Sequence, residues 1–160
     1  MNKIASFIVN HDTLEPGVYI SRIDGDAVTY DLRMKKPNHG DAVTPKSLHT
    51  IEHLLATYVR NSDLSDNVIY AGPMGCRTGF YLILRERVSK EETLELIRNA
   101  FAFIADFNGE IPGSRRQECG NYLEHDLSAA KKDAAEYVAV LHGITVDNFD
   151  YREGENNGQL

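Results

Sequence analysis

Two hydrophobic periods divide the chain. Val28, Tyr30 and Leu32 alternate with polar neighbours, the period of a strand with one buried face. Val18-Tyr19-Ile20 lies upstream and Asp24-Gly25-Asp26 between, so residues 17–33 read as a hairpin. Leu48, Ile51, Leu55 and Tyr58 recur at spacings of three and four, which is one stripe of a helix. Thr44 can cap that helix, and Pro45 suits its first position, where an N–H would have no partner anyway. Its end is expected near Asn61-Ser62-Asp63. Residues 67–71 then read as a strand entering the turn Gly72-Pro73-Met74-Gly75-Cys76, and residues 79–84 as the next strand. Ser89 with Glu92 forms a capping box, opening a helix to about Phe107 whose core face is Leu94, Ile97, Phe101 and Ile104. Asp126 or Ser128 caps a last, alanine-rich helix over 127–141, with Gly143 placed as its C-terminal glycine. At the start, Ser6-Phe7-Ile8-Val9 is expected as a short strand and Asn10-His11-Asp12-Thr13 as a polar turn.

A length of 160 residues predicts one domain, assigned to residues 1–145, with residues 146–160 as a polar, frayed tail. A net charge of −7 offers no basic stripe for nucleic acid. No apolar run reaches the length of a membrane span, and the first residues lack a signal-peptide core. A cytoplasmic protein is therefore expected, with Cys76 and Cys119 as thiols rather than a disulfide.

The densest chemistry is His49-Thr50-Ile51-Glu52-His53. On a helix, residues four apart lie one turn above each other, so two imidazoles can share one metal ion. Glu52 can reach the ion's open side without binding it. The order His-x-x-Glu-His inverts that of common zinc peptidases and is itself used for metal hydrolysis. A third, softer ligand is sought downstream, and Cys119 before Gly120 is the best candidate, with His125, Glu118 and Glu124 as rivals. Cys76 sits on a constrained turn beside Arg77, a cation expected to favour the thiolate. His11 has no sequence partner, and Arg33 at a strand end matters only if that strand points at the site.

Three stretches resemble the S-ribosylhomocysteine lyase (LuxS) family. They are Ser47-Leu48-His49-Thr50-Ile51-Glu52-His53-Leu54-Leu55, then Pro73-Met74-Gly75-Cys76-Arg77-Thr78-Gly79-Phe80-Tyr81-Leu82, then Glu118-Cys119-Gly120 with His125-Asp126-Leu127. Shorter matches lie at Ser6-Phe7 with His11 and at Tyr30-Asp31-Leu32-Arg33 with Pro37-Asn38. The resemblance implies an α+β fold, an antiparallel sheet packed with helices and related to the inverted-motif metallopeptidases. It implies a homodimer with two active sites at the subunit interface. By position His49, His53 and Cys119 would be metal ligands, and Glu52 and Cys76 the acid–base pair. Ser6, His11 and Arg33 would touch substrate, some of them across the interface. The implied metal is one divalent ion per subunit, ferrous iron with zinc or cobalt as substitutes. Two positions depart from the family's habit: Tyr70 stands where an aspartate is usual, and Arg77 where glutamine is frequent.

The implied reaction converts S-ribosylhomocysteine into homocysteine and 4,5-dihydroxy-2,3-pentanedione, the precursor of the quorum-sensing signal autoinducer-2. A C–S bond to an unactivated carbon does not break readily. Moving the carbonyl from C1 to C3 makes the C4 proton acidic, and thiolate then leaves C5 by β-elimination. Such a path wants a cation to polarise carbonyls, a base for carbon-bound protons and a carrier for oxygen-bound ones. Two imidazoles, two sulfurs and a carboxylate answer that list. A small metallopeptidase would use the same helix motif but leave both cysteines idle. A structural metal module would close the ion's shell with a fourth protein ligand, such as a third histidine.

Overall fold

The computed structural model describes residue 4 and residues 7–151. Its sheet is built from β1 (Gly17–Asp24), β2 (Ala27–Arg33), β3 (Val68–Pro73) and β4 (Gly79–Arg85), all antiparallel, in the order β1-β2-β4-β3. Three helices, α1 (Pro45–Arg60), α2 (Lys90–Asp106) and α3 (Leu127–Leu141), pack on one another, and α1 packs against β3. The fold is the expected α+β arrangement.

Alternation along the strands sorts the sheet into two faces. Val28, Tyr30, Leu32, Phe80, Leu82 and Leu84 point into the core, against Ile51, Leu54, Leu55 and Val59 of α1 and the apolar stripe of α2. The opposite face carries Asp31 and Arg33, which are nevertheless 1% and 3% exposed. A buried ion pair on the face turned away from the helices needs a covering, and that covering belongs to the site described below.

Local signals hold well for the helices. Thr44 caps α1 by accepting from the Ser47 N–H, the Ser89–Glu92 box opens α2, and Asp126 rather than Ser128 caps α3 through the Ala129 N–H. Gly143 follows α3 but does not take the left-handed conformation expected of a C-terminal glycine. The strand expected at 6–9 is instead a turn, closed by the Phe7 N–H on the Ile4 carbonyl, with a single bridge at Val9. Ser6 itself lies outside the described residues.

The expected tail also differs. Phe149 is fully buried, edge-on to Tyr30 at 5.8 Å between ring centroids. Its carbonyl accepts from the Ile20 N–H on the outer edge of β1 at 2.6 Å. Two residues on, Tyr151 stacks on Tyr19 at 4.8 Å. Residues 149–151 therefore wrap the edge strand, one aromatic entering the core and the next covering the opposite face. Phe149→Ala should cost about 3–5 kcal/mol, the usual loss for emptying a buried phenylalanine site. Urea unfolding would show it as a lowered midpoint, and an unchanged midpoint would place the segment outside the cooperative unit.

Candidate active site

The helix α1 presents His49, Glu52 and His53, all half-buried, at the rim of its core stripe. Each imidazole is turned by a backbone carbonyl. His49 Nδ1–H donates to the Glu124 carbonyl at 2.9 Å and His53 Nδ1–H to the Pro112 carbonyl at 2.8 Å. Both Nε2 lone pairs are thereby left facing away from the carbonyls, the arrangement in which outer partners orient metal-binding histidines. Gly113 permits the second contact: its φ is +68°, and a Cβ there would lie 3.3 Å from His53 Nδ1.

The loop after α2 returns Cys119 to the same place. Its Sγ lies 3.4 Å from His49 Nε2 and 3.9 Å from His53 Nε2. Ordinary zinc–nitrogen and zinc–sulfur lengths at a tetrahedral angle put nitrogen and sulfur about 3.6 Å apart. The Asn121 N–H donates to the sulfur at 3.4 Å, which suits a thiolate. His49, His53, Cys119 and His125 form one group whose ligand atoms all lie within 4.8 Å of one another, and it fits a single metal ion. Glu118 and Glu124, rivals in the sequence, are not members among the described residues.

His125 changes the picture that sequence alone suggests. The Thr50 hydroxyl donates to the Lys46 carbonyl and accepts from the Asp126 N–H. Its one proton is thus committed, so the 3.2 Å contact to His125 Nδ1 has the imidazole as donor. His125 Nε2 carries the lone pair, is buried, and has no partner among the described residues. A buried lone pair without a donor is what a cation, or a group bound to one, would face. Burial, reinforced by His49 and His53, pushes His125 below the usual histidine range. A third histidine was the mark of a closed structural shell, yet ring geometry speaks against closure. An imidazole binds metal in its own plane. His49 and His53 cross at 82°, so their planes meet, whereas His125 stacks on His49 at 4.2 Å and 21°. Nearly parallel planes converge poorly on one ion, although His125 crosses His53 at 78°.

A second group gathers on the other face of the sheet. The turn 74–77 closes with the Arg77 N–H on the Met74 carbonyl, and Arg77 takes a left-handed φ of +61°. Cys76 projects from this turn and is exposed. Arg33, across the β2–β4 ladder, pairs with Asp31 through two hydrogen bonds of 3.1 and 2.6 Å. Its third nitrogen donates to Thr78 Oγ1 at 2.6 Å and reaches Cys76 Sγ at 3.9 Å. Tyr151 donates to Asp31 at 3.0 Å. His11 fixes its ring by donating from Nδ1 to the Val9 carbonyl at 2.9 Å. His11, Arg33, Cys76 and Tyr151 line one cavity of about 220 Å³.

Burial opposes ionisation of Cys76, but hydrogen bonds from Thr78 and the Arg33 charge outweigh it, leaving the thiol below its usual range. The cation that matters is Arg33, not Arg77 next in sequence, which is exposed and adds nothing to that shift. Thr78, Asp31 and Tyr151 were missed in the sequence. Asp31 and Arg33 two apart on one strand face were a usable sign of an ion pair. Tyr70, the departure from family habit, is 47% exposed and lies across Gly72.

The two groups remain apart. Among the described residues no hydrogen bond, ion pair or ring contact joins the histidine–cysteine cluster or Glu52 to Cys76 and Arg33. Among the described residues no helix is long and apolar enough to cross a membrane.

Comparison with known proteins converges on one family. The S-Ribosylhomocysteinase (LuxS) profile matches residues 4–148. The chain is 48% identical over 158 residues to the S-ribosylhomocysteine lyase of Clostridium acetobutylicum, covering 96% of this chain and 100% of that one. It is 48% identical over 157 residues to the lyase of Phocaeicola vulgatus, covering 94% and 98%. To that of Borreliella afzelii it is 41% identical over 156 residues, covering 94% and 99%.

Proposed function

The chain belongs to the S-ribosylhomocysteinase (LuxS) family, and from that premise we propose that it cleaves S-ribosylhomocysteine to homocysteine and 4,5-dihydroxy-2,3-pentanedione. The observation that carries this reading is the approach of Cys119 Sγ to His49 and His53 Nε2, from 70 and 66 residues away, at distances suited to one shared cation. A peptidase reading gives no work to the Cys76 group on the far side of the sheet.

His49, His53 and Cys119 would hold one divalent ion, ferrous iron in this reading, with zinc or cobalt as substitutes. When bound, the ion supplies Lewis acidity to the sugar's carbonyl. Cys76, as thiolate, takes a proton from the carbon beside that carbonyl and returns it to the neighbouring carbon. Glu52 moves the proton between the two oxygens, and it is free to do so because it makes no hydrogen bond or ion pair among the described residues. Two such rounds bring the carbonyl from C1 to C3. Removal of the C4 proton then forms the C4–C5 double bond as the C5–S pair leaves on homocysteine, which takes up a proton. The enol left behind gains a proton at C5 and loses its C4 hydroxyl proton to give the dione. Arg33 and His11 contact substrate beside Cys76, and Ser6 joins them by its family position.

The separation of the two groups supports a homodimer in which one copy's metal group faces the partner's Cys76 group. Ferrous iron and uncombined thiols both suit a reducing compartment, so the reading includes a cytoplasmic location. Anaerobically purified, metal-loaded protein incubated with S-ribosylhomocysteine should release one free thiol per substrate consumed. Release no faster than in buffer, with a full metal complement, would overturn the assignment.

A further inference from the structure

Thr78 precedes β4 and is buried. Its backbone is fastened on both sides: its carbonyl accepts from the Met34 and Lys35 N–H groups at 2.9 Å each. The neighbouring Gly79 pairs with Arg33, and a Cβ on Gly79 would fall 2.1 Å from the Leu32 carbonyl oxygen. That close approach is open only to glycine, and it sets residue 78 against the Arg33 side chain. The hydroxyl of Thr78 then stands between two groups, Arg33 Nη1 at 2.6 Å and Cys76 Sγ at 3.1 Å.

Proton accounting fixes the direction of the first contact, and of the second once Cys76 is a thiolate with no proton to give. A guanidinium only donates, so the Thr78 oxygen accepts from Arg33. The Thr78 hydrogen is left over, and the sulfur is its partner among the described residues. A donor aimed at sulfur bonds a thiolate more strongly than a thiol. Arg33, already held by both oxygens of Asp31, polarises the hydroxyl further in that direction.

We propose that Thr78 is a positioning residue for the proton carrier Cys76: its hydroxyl, clamped by Arg33, donates to the sulfur, keeps it ionised and holds it at the cavity. The proposal rests on the reading of Cys76 as the carbon base, but its central claim concerns the sulfur itself. Thr78 lies on the path by which the Asp31–Arg33 pair reaches the thiolate, and Arg33's own contact with the sulfur is longer, 3.9 Å. The lowered pKa of Cys76 agrees: after burial, which opposes it, the Thr78 hydroxyl is the largest influence, ahead of the Thr78 backbone and the Arg33 charge.

The test compares metal-loaded wild type, Thr78→Val, which keeps the shape and removes the hydroxyl, and Thr78→Ser, which restores it. Alkylation of Cys76 by iodoacetamide, followed on its own peptide by mass spectrometry across pH, reads ionisation without turnover. Thr78→Val should shift that profile to higher pH by about one unit, so that alkylation below the midpoint falls about tenfold. Thr78→Ser should return to within about threefold of wild type. Turnover of Thr78→Val should fall in kcat with KM little changed, and recover as pH rises. Thr78→Ala carries the same expectation should the valine variant not fold. Besides Arg33 and Asp31, the titratable groups around the sulfur are His11, Lys36, Asp41, Tyr81 and Tyr151. A step owed to His11 is recognised by repeating the series with His11→Gln. A folded Thr78→Val with an unshifted alkylation profile would overturn the proposal. An active Cys76→Ala would instead sink the role of Cys76 and leave the alkylation result to stand on its own.

Discussion

Cys119→Ala should lose its metal, whereas Cys76→Ala should keep one ion per chain and lose turnover by about a hundred- to ten-thousandfold, the range for removing a general base. The two sulfurs look alike in composition but not in surroundings. Cys119 sits 3.4 and 3.9 Å from two imidazole nitrogens whose other ring nitrogens are tied to backbone carbonyls. Removing it takes one of three converging donors and should weaken metal affinity by more than the ten- to hundredfold typical of losing an outer partner. Among the described residues Cys76 makes no hydrogen bond to that group. Its neighbours are Thr78 and Arg33, which favour its charge. Because its ionisation lies below the ordinary thiol range, the acid limb of activity should also fall at lower pH than an unassisted thiol would give. Metal analysis beside thiol release decides the matter. Equal metal loss in both variants would remove the division of labour between the cysteines.

Glu52→Gln should bind metal as the wild type does and lose turnover by a similar factor, about a hundred- to ten-thousandfold. Glutamine keeps the shape and the helix but cannot take a proton. Solvent deuterium separates the two defects. Substrate recovered from Glu52→Gln should carry deuterium on carbon, because Cys76 still exchanges the C–H proton. Substrate recovered from Cys76→Ala should carry none. A Glu52→Gln enzyme with near-normal turnover would exclude the carboxylate from the reaction.

What could be read in advance followed chain distance. His49, Glu52 and His53 lie within one turn and a half of helix, so their shared face is a matter of local geometry. The helices came from caps and stripes that act over a few residues. Cys119 was ranked first for a softer reason, its residue type and its glycine neighbour, and only tertiary folding brings it to the histidines. His125 was a rival for that place; its stacking on His49 shows that membership of a cluster and a ligand's direction are separate questions. The error at Arg77 has the same root. Adjacency in sequence suggested it as the cation for Cys76, but a left-handed turn leaves it exposed, while strand pairing supplies Arg33 from 43 residues away. The turn at 7–9 shows that a short apolar run without partners across a ladder does not make a strand.

Phe149 and Tyr151 escaped notice because two aromatics in a polar stretch form no periodic pattern, yet their spacing of two is what lets one enter the core while the other crosses to the far face. The outermost strand is thereby shielded at Ile20. A chain stopped at residue 145 would bare that backbone to strand addition by neighbouring molecules and would strip a wall from the Cys76 cavity in the same cut. Self-association and chemical silence would then arrive together, a pairing easily mistaken for simple misfolding.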